Sequence, residues 1–335
     1  MSTIRTDPVT GRRVIISAER ADRPRTFRES ERRLSDDGEC PFCPGNEAET
    51  PPPRATYLDE AGDWKVRVVP NKYPAVTAGR PTVIGSDGLF ETHEGVGEHD
   101  VIIETPEHVF SLHDLSEPQV ATVVRAWRER LADLADDDRL EYALLFKNHG
   151  APAGASIEHT HSQLLALPMV PHLPAPDLDR ARDSHDQTGV GIFCQIIDQT
   201  LETRERIVFA DDAMVVMAPH APRFPFELRI MPREHSAHFA AGTAAGDRQV
   251  AAALGQTLDR LDRALQAPPY NLVVHTAPLH STQLAFYHWH IELIPTLSHI
   301  AGFEWGTGYH INPTPPEEAA RQLRALDPEV DGPAR

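Results

Sequence analysis

The chain of 335 residues, with 40% hydrophobic and 24% charged residues, has the composition of a globular protein with one large domain or two ordinary ones. Its formal net charge of −18 argues against a general binder of nucleic acids or anionic membranes, because such binding needs a broad basic surface. The N-terminal segment has no apolar signal sequence, and no apolar run is long enough to cross a bilayer. We therefore expect a cytoplasmic protein without nucleic-acid or membrane partners.

Two arginines near the N-terminus, Arg20 and Arg23, are the first candidate binding residues along the chain. The planar guanidinium group suits the oxygens of a phosphate. Arginine is common throughout this chain, however, so a solvent-exposed face is the default interpretation for the pair.

The next motif is a Cys-x-x-Cys pair, Cys40 and Cys43. The chain has three cysteines, too few for a disulfide framework, so the pair binds a metal, is redox-active or is incidental. A turn at Gly45-Asn46 favours zinc, since two thiolates at this spacing reach one ion when the chain turns tightly. A redox pair needs a thioredoxin-like βαβ pattern, which the surrounding sequence lacks. Histidines would supply the two remaining ligands; the best-placed pair is His108 and His159, and the competitors are His99 and His113.

The chain contains a weak internal duplication, with one copy over 68–168 and the other over 215–295. Each copy runs as two strands, a helix, a strand, a loop of small residues and a strand that carries His-x-His before a proline. Apolar residues at helical spacing predict both helices, the first of them starting at a capping box of Ser116 and Gln119. One helix for each run of hairpin-like strands indicates an α+β fold with antiparallel sheets. The expected units are an N-terminal half (1–170), a connection (171–205), a C-terminal half (206–326) and a tail (327–335).

The strand at the end of the first copy carries the strongest candidate for catalysis. Alternation along a strand places His159, His161 and Gln163 on one face, directly after the small-residue loop 154–156. Such a loop offers backbone N–H groups and a hydroxyl to a phosphate. A neutral imidazole can attack phosphorus without prior activation by a strong base. The alternative is a pair of structural or surface histidines.

The corresponding strand of the second copy places His288, His290 and Glu292 on one face. Three interpretations remain open for this set. The side chains bind a second metal, contact phosphates across the sheet, or are the relic of an inactive duplicated site.

Taken together, these motifs resemble the galactose-1-phosphate uridylyltransferase family of the histidine-triad superfamily, in the form shared with ADP-glucose phosphorylase. The resemblance covers nearly the whole chain. It is carried by DPVTGRRVIISAERADRP (7–24), CPFCPGNE (40–47), VVPNKYPAV (68–76), TPEHVFSLHDLS (105–116), NHGAPAGASIEHTHSQLLALP (148–168), HWHIELIP (288–295) and GFEWGTGYHINPTPPEEAA (302–320). It implies two duplicated histidine-triad-like halves that share an extended, mostly antiparallel sheet with flanking helices. It also implies a homodimer whose active site is completed by the partner chain.

The resemblance also implies roles for individual residues. It implies that His161 is the nucleophile, and that Gln163 and Ser156 act beside it in catalysis. The implied zinc ligands are Cys40, Cys43, His108 and His159. The implied substrate-binding residues are Arg20, Arg23, Asn71, Asn148, Ser156, Gln163, His288, His290 and Tyr309. A second metal, iron in some relatives, would need an acidic ligand downstream of Gln163, and residues 168–174 offer none.

The implied reaction is a ping-pong exchange through a nucleotidyl-His161 intermediate. The expected substrates are a nucleoside diphosphate sugar and a sugar 1-phosphate or phosphate, and the leading expectation is uridylyl transfer from UDP-glucose to galactose 1-phosphate. Adenylyl transfer between ADP-glucose and phosphate is the alternative. A non-catalytic nucleotide-binding zinc protein is the alternative from another class. A hydrolase is disfavoured, because hydrolytic histidine-triad proteins usually carry a third histidine where this chain has Gln163.

Overall fold

A computed structural model describes residues 2–22, 40–79, 83–87, 89–282 and 284–326. Arg23 and the expected tail, 327–335, lie outside these residues. The strands are β1 (Thr3–Thr6), β2 (Arg13–Ile16), β3 (Ala55–Leu58), β4 (Trp64–Pro70), β5 (Val83–Asp87), β6 (Phe90–His93), β7 (Glu98–Ile103), β8 (Tyr142–His149), β9 (His161–Leu167), β10 (Ile207–Ala210), β11 (Met214–Met217), β12 (Leu228–Pro232), β13 (Tyr270–His275), β14 (His290–Pro295) and β15 (His310–Asn312). The helices are α1 (Glu117–Ala135), α2 (Pro174–Thr188), α3 (Ile192–Thr203), α4 (Ala244–Leu265), α5 (Gly302–Thr307) and α6 (Pro316–Arg324).

A ten-stranded sheet in the order β10-β11-β12-β14-β13-β8-β9-β7-β4-β3 forms the centre of the molecule, and all its neighbouring strands are antiparallel. Its two halves have the same order when each is read outward from the β8–β13 seam. The strands β8, β9, β7, β4 and β3 correspond to β13, β14, β12, β11 and β10. Helix α1 precedes β8 in the same way that α4 precedes β13. The sheet therefore confirms the predicted duplication and the α+β fold.

Helices α1 and α4 pack against each other and cover one face of both halves. The predicted apolar stripe of α1, from Val120 to Leu134, is buried in this layer. The predicted capping box at its start was wrong, because the Ser116 side chain makes no cap hydrogen bond. The Gln119 side chain instead donates to the carbonyl oxygens of Lys65 and Glu104, at 2.8 and 2.7 Å, and so ties the first turn of the helix to the sheet.

The opposite face of the sheet is covered differently in its two halves. In the second half α2 and α3 pack on it through a cluster that includes Leu178, Phe193 and Met231. In the first half the segment around Phe42 packs there on apolar residues of β4 and β7. Side chains alternate along β9, so His161 and Gln163 lie on this face while Ser162 faces α1 and accepts a 2.7 Å hydrogen bond from Trp127. Among the described residues, the segment around Phe42 is therefore what covers the sheet beside the candidate residues.

The N-terminal strands β1 and β2 form a small sheet with β15 from the far end of the chain. Arg5 pairs with Glu317 at 2.7 Å, and the buried Asp7 pairs with Arg229 at 3.1 Å. Residues 2–16 thus pack beside the C-terminal half, although the bounds 1–170 and 206–326 stay a prediction. No helix within the described ranges is both long and apolar enough to cross a membrane.

Candidate active site

Two cysteines and two histidines lie close together near the start of β9. The ligand atoms of Cys40, Cys43, His108 and His159 all lie within 4.8 Å of one another. The His159 Nδ1 atom is 3.6 Å from each sulfur, and the His108 Nδ1 atom is 3.2 Å from the sulfur of Cys43. The structure thus brings together the four predicted ligands, and this group includes neither His99 nor His113.

The donor set and its spacing fit a tetrahedral zinc ion. Zinc–sulfur bonds of about 2.3 Å and zinc–nitrogen bonds of about 2.0–2.1 Å give a tetrahedron with sulfur–nitrogen edges of about 3.6 Å. The His159 Nε2 atom lies 2.9 Å from the Thr105 carbonyl, which can only accept, so the Nδ1 lone pair faces the sulfurs. Burial lowers the pKa of His159 to about 4, which keeps its ring neutral, as a metal ligand must be.

His161 is the first residue of β9, and its ring is almost fully buried. Its Nδ1 atom donates to the His159 carbonyl oxygen at 2.8 Å, so the neutral ring has its lone pair on Nε2. Burial, and then the positive charge of Lys147, lowers the pKa of His161 below its ordinary value. The ring of Phe42 meets the His161 ring edge-on, with 5.4 Å between the centroids. The structure therefore favours the neutral form of His161, with its lone pair on Nε2.

A buried ion pair beneath β9, which the sequence analysis missed, fixes the backbone at His161. The ammonium group of Lys147 donates to Glu104 Oε2 at 2.6 Å, to Thr160 Oγ1 at 2.8 Å and to the His161 carbonyl at 2.9 Å. The side chains of Lys147 and Glu104 are only 1% and 0% exposed. A lysine directly after the apolar run 142–146 of β8 was the signal that could have identified this pair, since buried lysines are almost always paired.

The loop between β8 and β9 depends on two glycines. Gly150 and Gly154 have φ values of +82° and +95°, a region that side chains rarely tolerate. A Cβ atom on Gly150 would also lie 3.0 Å from Pro269. The resulting turn leaves the Ser156 side chain exposed, where its hydroxyl is accessible to a ligand. Asn271 on β13 donates to Asn148 Oδ1 at 2.9 Å and to the Ala153 carbonyl at 2.8 Å, a contact that the sequence analysis also missed.

Gln163 contacts His99, one of the histidines considered as a competing metal ligand. The His99 Nε2 atom lies 3.0 Å from Gln163 Oε1 and 3.2 Å from Asn71 Nδ2. The Ala75 N–H group donates to His99 Nδ1 at 3.1 Å. Asn71, His99 and Gln163 thus form one connected group on the face that carries His161.

Comparison with known proteins identifies the family. A model described as the N-terminal domain of galactose-1-phosphate uridyl transferase matches residues 1–171, and a domain of unknown function matches residues 97–327. The chain is 36% identical to the ADP-glucose phosphorylase of Arabidopsis thaliana over 96% of this chain and 92% of that one. It belongs to the galactose-1-phosphate uridylyltransferase family. Members of this family are nucleotidyltransferases, and this chain is an enzyme of that class.

Two further comparisons agree with this assignment. The crystal structure of the Arabidopsis thaliana ADP-glucose phosphorylase with bound ADP-glucose superposes with a TM-score of 0.84 at 35% identity, covering 98% of this chain and 99% of that one. The galactose-1-phosphate uridylyltransferase of Thermotoga maritima is 28% identical over 98% of this chain and 100% of that one. The similarity to the family thus extends over the whole length of the chain.

The second half of this uridylyltransferase-family chain repeats the arrangement around His161, but within the described residues it lacks an equivalent of the four-residue cysteine and histidine group. The His290 Nδ1 atom lies 3.2 Å from the His288 carbonyl oxygen, which corresponds to the 2.8 Å contact between His161 Nδ1 and the His159 carbonyl oxygen. The Phe193 ring lies 5.2 Å from the His290 ring. Helix α3 carries Cys194 directly after Phe193, 3.8 Å from His288 Nδ1. Gly191 stands where the first motif has its earlier cysteine, and a Cβ atom there would lie 2.8 Å from the Ala285 carbonyl.

Basic side chains surround the acidic member of this second set. Glu292 pairs with Arg223 at 2.6 Å and approaches Arg229 at 3.8 Å, and the His290 ring stacks on His275 at 4.6 Å. Among the residues that the structure describes, no second group of three or more metal-ligating side chains meets. Which of the three interpretations of His288, His290 and Glu292 applies stays a prediction.

Two further predicted binding residues, Arg20 and Tyr309, lie next to strands of the small sheet. Arg20 is exposed on a 3-10 helix, Ala18–Asp22, that follows β2. The Tyr309 hydroxyl accepts a 2.6 Å hydrogen bond from Arg13. The contacts described for Arg20 and Tyr309 include none to the cluster around His161, so their substrate-binding roles stay predictions.

Proposed function

We propose that the protein transfers a nucleotidyl group through His161. The Nε2 lone pair attacks the α-phosphorus of a nucleoside diphosphate hexose, a P–N bond forms, and the P–O bond to the sugar phosphate breaks. The departing oxygen keeps the electron pair, so sugar 1-phosphate leaves. An oxygen of the acceptor phosphate then displaces the imidazole by the reverse step. The observation that carries this proposal is the buried, neutral His161 ring, whose Nδ1–H is bound by a backbone carbonyl.

The other predicted residues would bind and stabilise the phosphates. The amides of Asn71, Asn148 and Gln163 and the hydroxyl of Ser156 can donate to the charge that builds up on the α-phosphate in the transition state. Donors that are already fixed at this position lower the barrier without reorganisation.

We propose zinc as the metal of the Cys40, Cys43, His108 and His159 group. When bound, it would supply a structural cross-link, since four protein ligands leave no open position for a substrate or water. The protein itself aligns the neighbouring nucleophile through the His159 carbonyl, which holds the His161 Nδ1–H.

Two pairs of substrates are compatible with this chemistry. Uridylyl transfer from UDP-glucose to galactose 1-phosphate is supported by the description of the family model and by the name of the Thermotoga maritima relative, both galactose-1-phosphate uridylyltransferases. ADP-glucose with phosphate is favoured by the greater identity to the phosphorylase, 36% against 28%, and by its TM-score of 0.84. We therefore place ADP-glucose first as the donor and retain the uridylyl exchange as the second candidate.

Intact mass spectrometry separates the two donors. The protein is incubated with equal amounts of UDP-glucose and ADP-glucose without an acceptor. We expect a covalent adenylyl adduct that disappears when phosphate is added. A uridylyl adduct that disappears with galactose 1-phosphate supports the second candidate. Zinc-containing protein that forms no adduct contradicts the covalent mechanism.

We expect Gln163→His to shift the reaction from transfer toward hydrolysis. An imidazole at this position can accept and return a proton, and so activate water, whereas an amide cannot. Release of nucleoside monophosphate in the absence of acceptor should rise at least about tenfold relative to transfer. Gln187→His, at an exposed position of α2, is the matched control. Unchanged partitioning between acceptor and water would contradict this role for Gln163.

A cytoplasmic homodimer, in which a partner chain completes the active site, is also part of the proposal. The location of Arg20 and Tyr309 beside the small sheet is compatible with binding substrate in the partner's site. Light scattering should give the mass of two chains, and the mass of a single chain would contradict the dimer.

A further inference from the structure

The side-chain amide of Asn148 is oriented by Asn271, a residue of the second half of the sheet. Asn271 lies opposite Asn148 in the β13–β8 register, and its Nδ2 group donates both to the Ala153 carbonyl and to Asn148 Oδ1. A carbonyl oxygen only accepts hydrogen bonds, so Ala153 determines which end of the Asn271 amide faces it. Because the Asn271 Nδ2 group only donates, the atom of Asn148 that faces it must be the acceptor Oδ1. The Nδ2 group of Asn148 is left as a donor for a ligand.

Gln163 is oriented by an equivalent series of contacts from the other side. The Ala75 N–H group only donates, so His99 Nδ1 is the acceptor and the neutral ring has its proton on Nε2. Asn71 does not accept this proton, because its Oδ1 already accepts from the Tyr73 N–H at 2.9 Å and the group 3.2 Å from His99 Nε2 is its Nδ2, which only donates. The contact between Asn71 and His99 is therefore not a hydrogen bond in this tautomer. The His99 proton therefore goes to Gln163 Oε1, at 3.0 Å. The Nε2 group of Gln163 is left as a donor.

We infer that Asn271 and His99 are positioning residues that turn the amides of Asn148 and Gln163 so that both present N–H groups to the phosphates of the substrate. Each series of contacts begins at a backbone group whose role as donor or acceptor cannot change. Phosphate oxygens only accept, and an amide that presented its oxygen to them would repel the substrate. The inference rests on the proposed function, because it assigns the ligand of these amides as a nucleoside diphosphate sugar.

The test reverses one of these orientations. In Asn271→Asp the carboxylate cannot donate to Ala153, and Asn148 must turn its Nδ2 group toward it, which presents Oδ1 to the substrate. Calorimetric titration with ADP-glucose and with UDP-glucose should show a loss of affinity of roughly 10- to 100-fold. Gln187→Glu adds the same charge at an exposed site and should bind like wild type. Thermal melting of each variant establishes that it is folded before binding is compared.

Double-mutant cycles separate positioning from a general structural effect. If Asn271 acts through Asn148, adding Asn271→Asp to Asn148→Ala should cause little further loss of affinity. The same holds for His99→Phe added to Gln163→Ala, since phenylalanine keeps the ring and removes its hydrogen bonds. Losses that simply add in both cycles contradict the inference while leaving the proposed function intact. A folded wild-type protein that binds neither nucleotide sugar contradicts both.

Discussion

The His161→Ala variant should lose nucleotidyl transfer by about 10⁴-fold or more and form no covalent adduct. The loss is expected to be this large because both half-reactions pass through the same nitrogen. Neither the metal cluster nor the neighbouring amides can provide another nucleophile. The Nδ1–H of His161 is bound by the His159 carbonyl at 2.8 Å, so the change removes the Nε2 lone pair from a fixed position. Transfer is measured with radiolabelled sugar phosphate or phosphate, and the adduct by intact mass.

The matched control is His280→Ala, which removes an exposed imidazole. We expect this variant to retain wild-type transfer and wild-type adduct. Melting curves for both variants establish that the alanine at 161 has not unfolded the protein. A folded His161→Ala variant with transfer close to that of wild type would overturn the assignment of the nucleophile.

The features that sequence predicts best here are those encoded by local patterns. Alternation along β9 places His161 and Gln163 on one face, and the repeated order of elements predicts the two halves of the sheet. The spacing of Cys40 and Cys43 predicts a metal-binding pair, although choosing His108 and His159 over His99 and His113 required either the family or the fold. Only the folded chain shows that the four ligand atoms approach within 4.8 Å.

The features missed by the sequence analysis depend on contacts between distant segments. Asn271 reaches Asn148 only because β13 pairs with β8 across the seam, 123 residues apart in the chain. The residue type of His99 makes it a candidate metal ligand, but in the fold its position on β7 brings it beside Gln163. Neither contact leaves a periodicity or a motif from which the pairing could be inferred.

The Cys40→Ser variant should lose its zinc and a large part of its stability. A structural zinc ion has an apparent binding free energy of about 10–16 kcal/mol in zinc-finger peptides, and the thiolate of Cys40 is one of only four ligands. A bound metal would join the segment at 40–43, between β2 and β3, to the loops around His108 and His159. We expect about one zinc per chain in wild type and nearly none in the variant, by atomic absorption. We also expect a fall in Tm of about 10 °C, as for the loss of several kcal/mol.

Activity should fall together with the metal, because the same segment touches the nucleophile. The Phe42 ring lies between the two cysteines and packs against His161 at 5.4 Å and against His159 at 6.0 Å. Release of this segment removes those contacts and exposes the His161 face of the sheet to water. Cys194→Ser is the matched control, since Cys194 lies outside the four-ligand group, and it should keep both the zinc and the activity of wild type. A Cys40→Ser protein with unchanged zinc content and unchanged Tm would contradict the metal site. Loss of zinc with full activity would show that the metal stabilises the fold but is not needed for transfer.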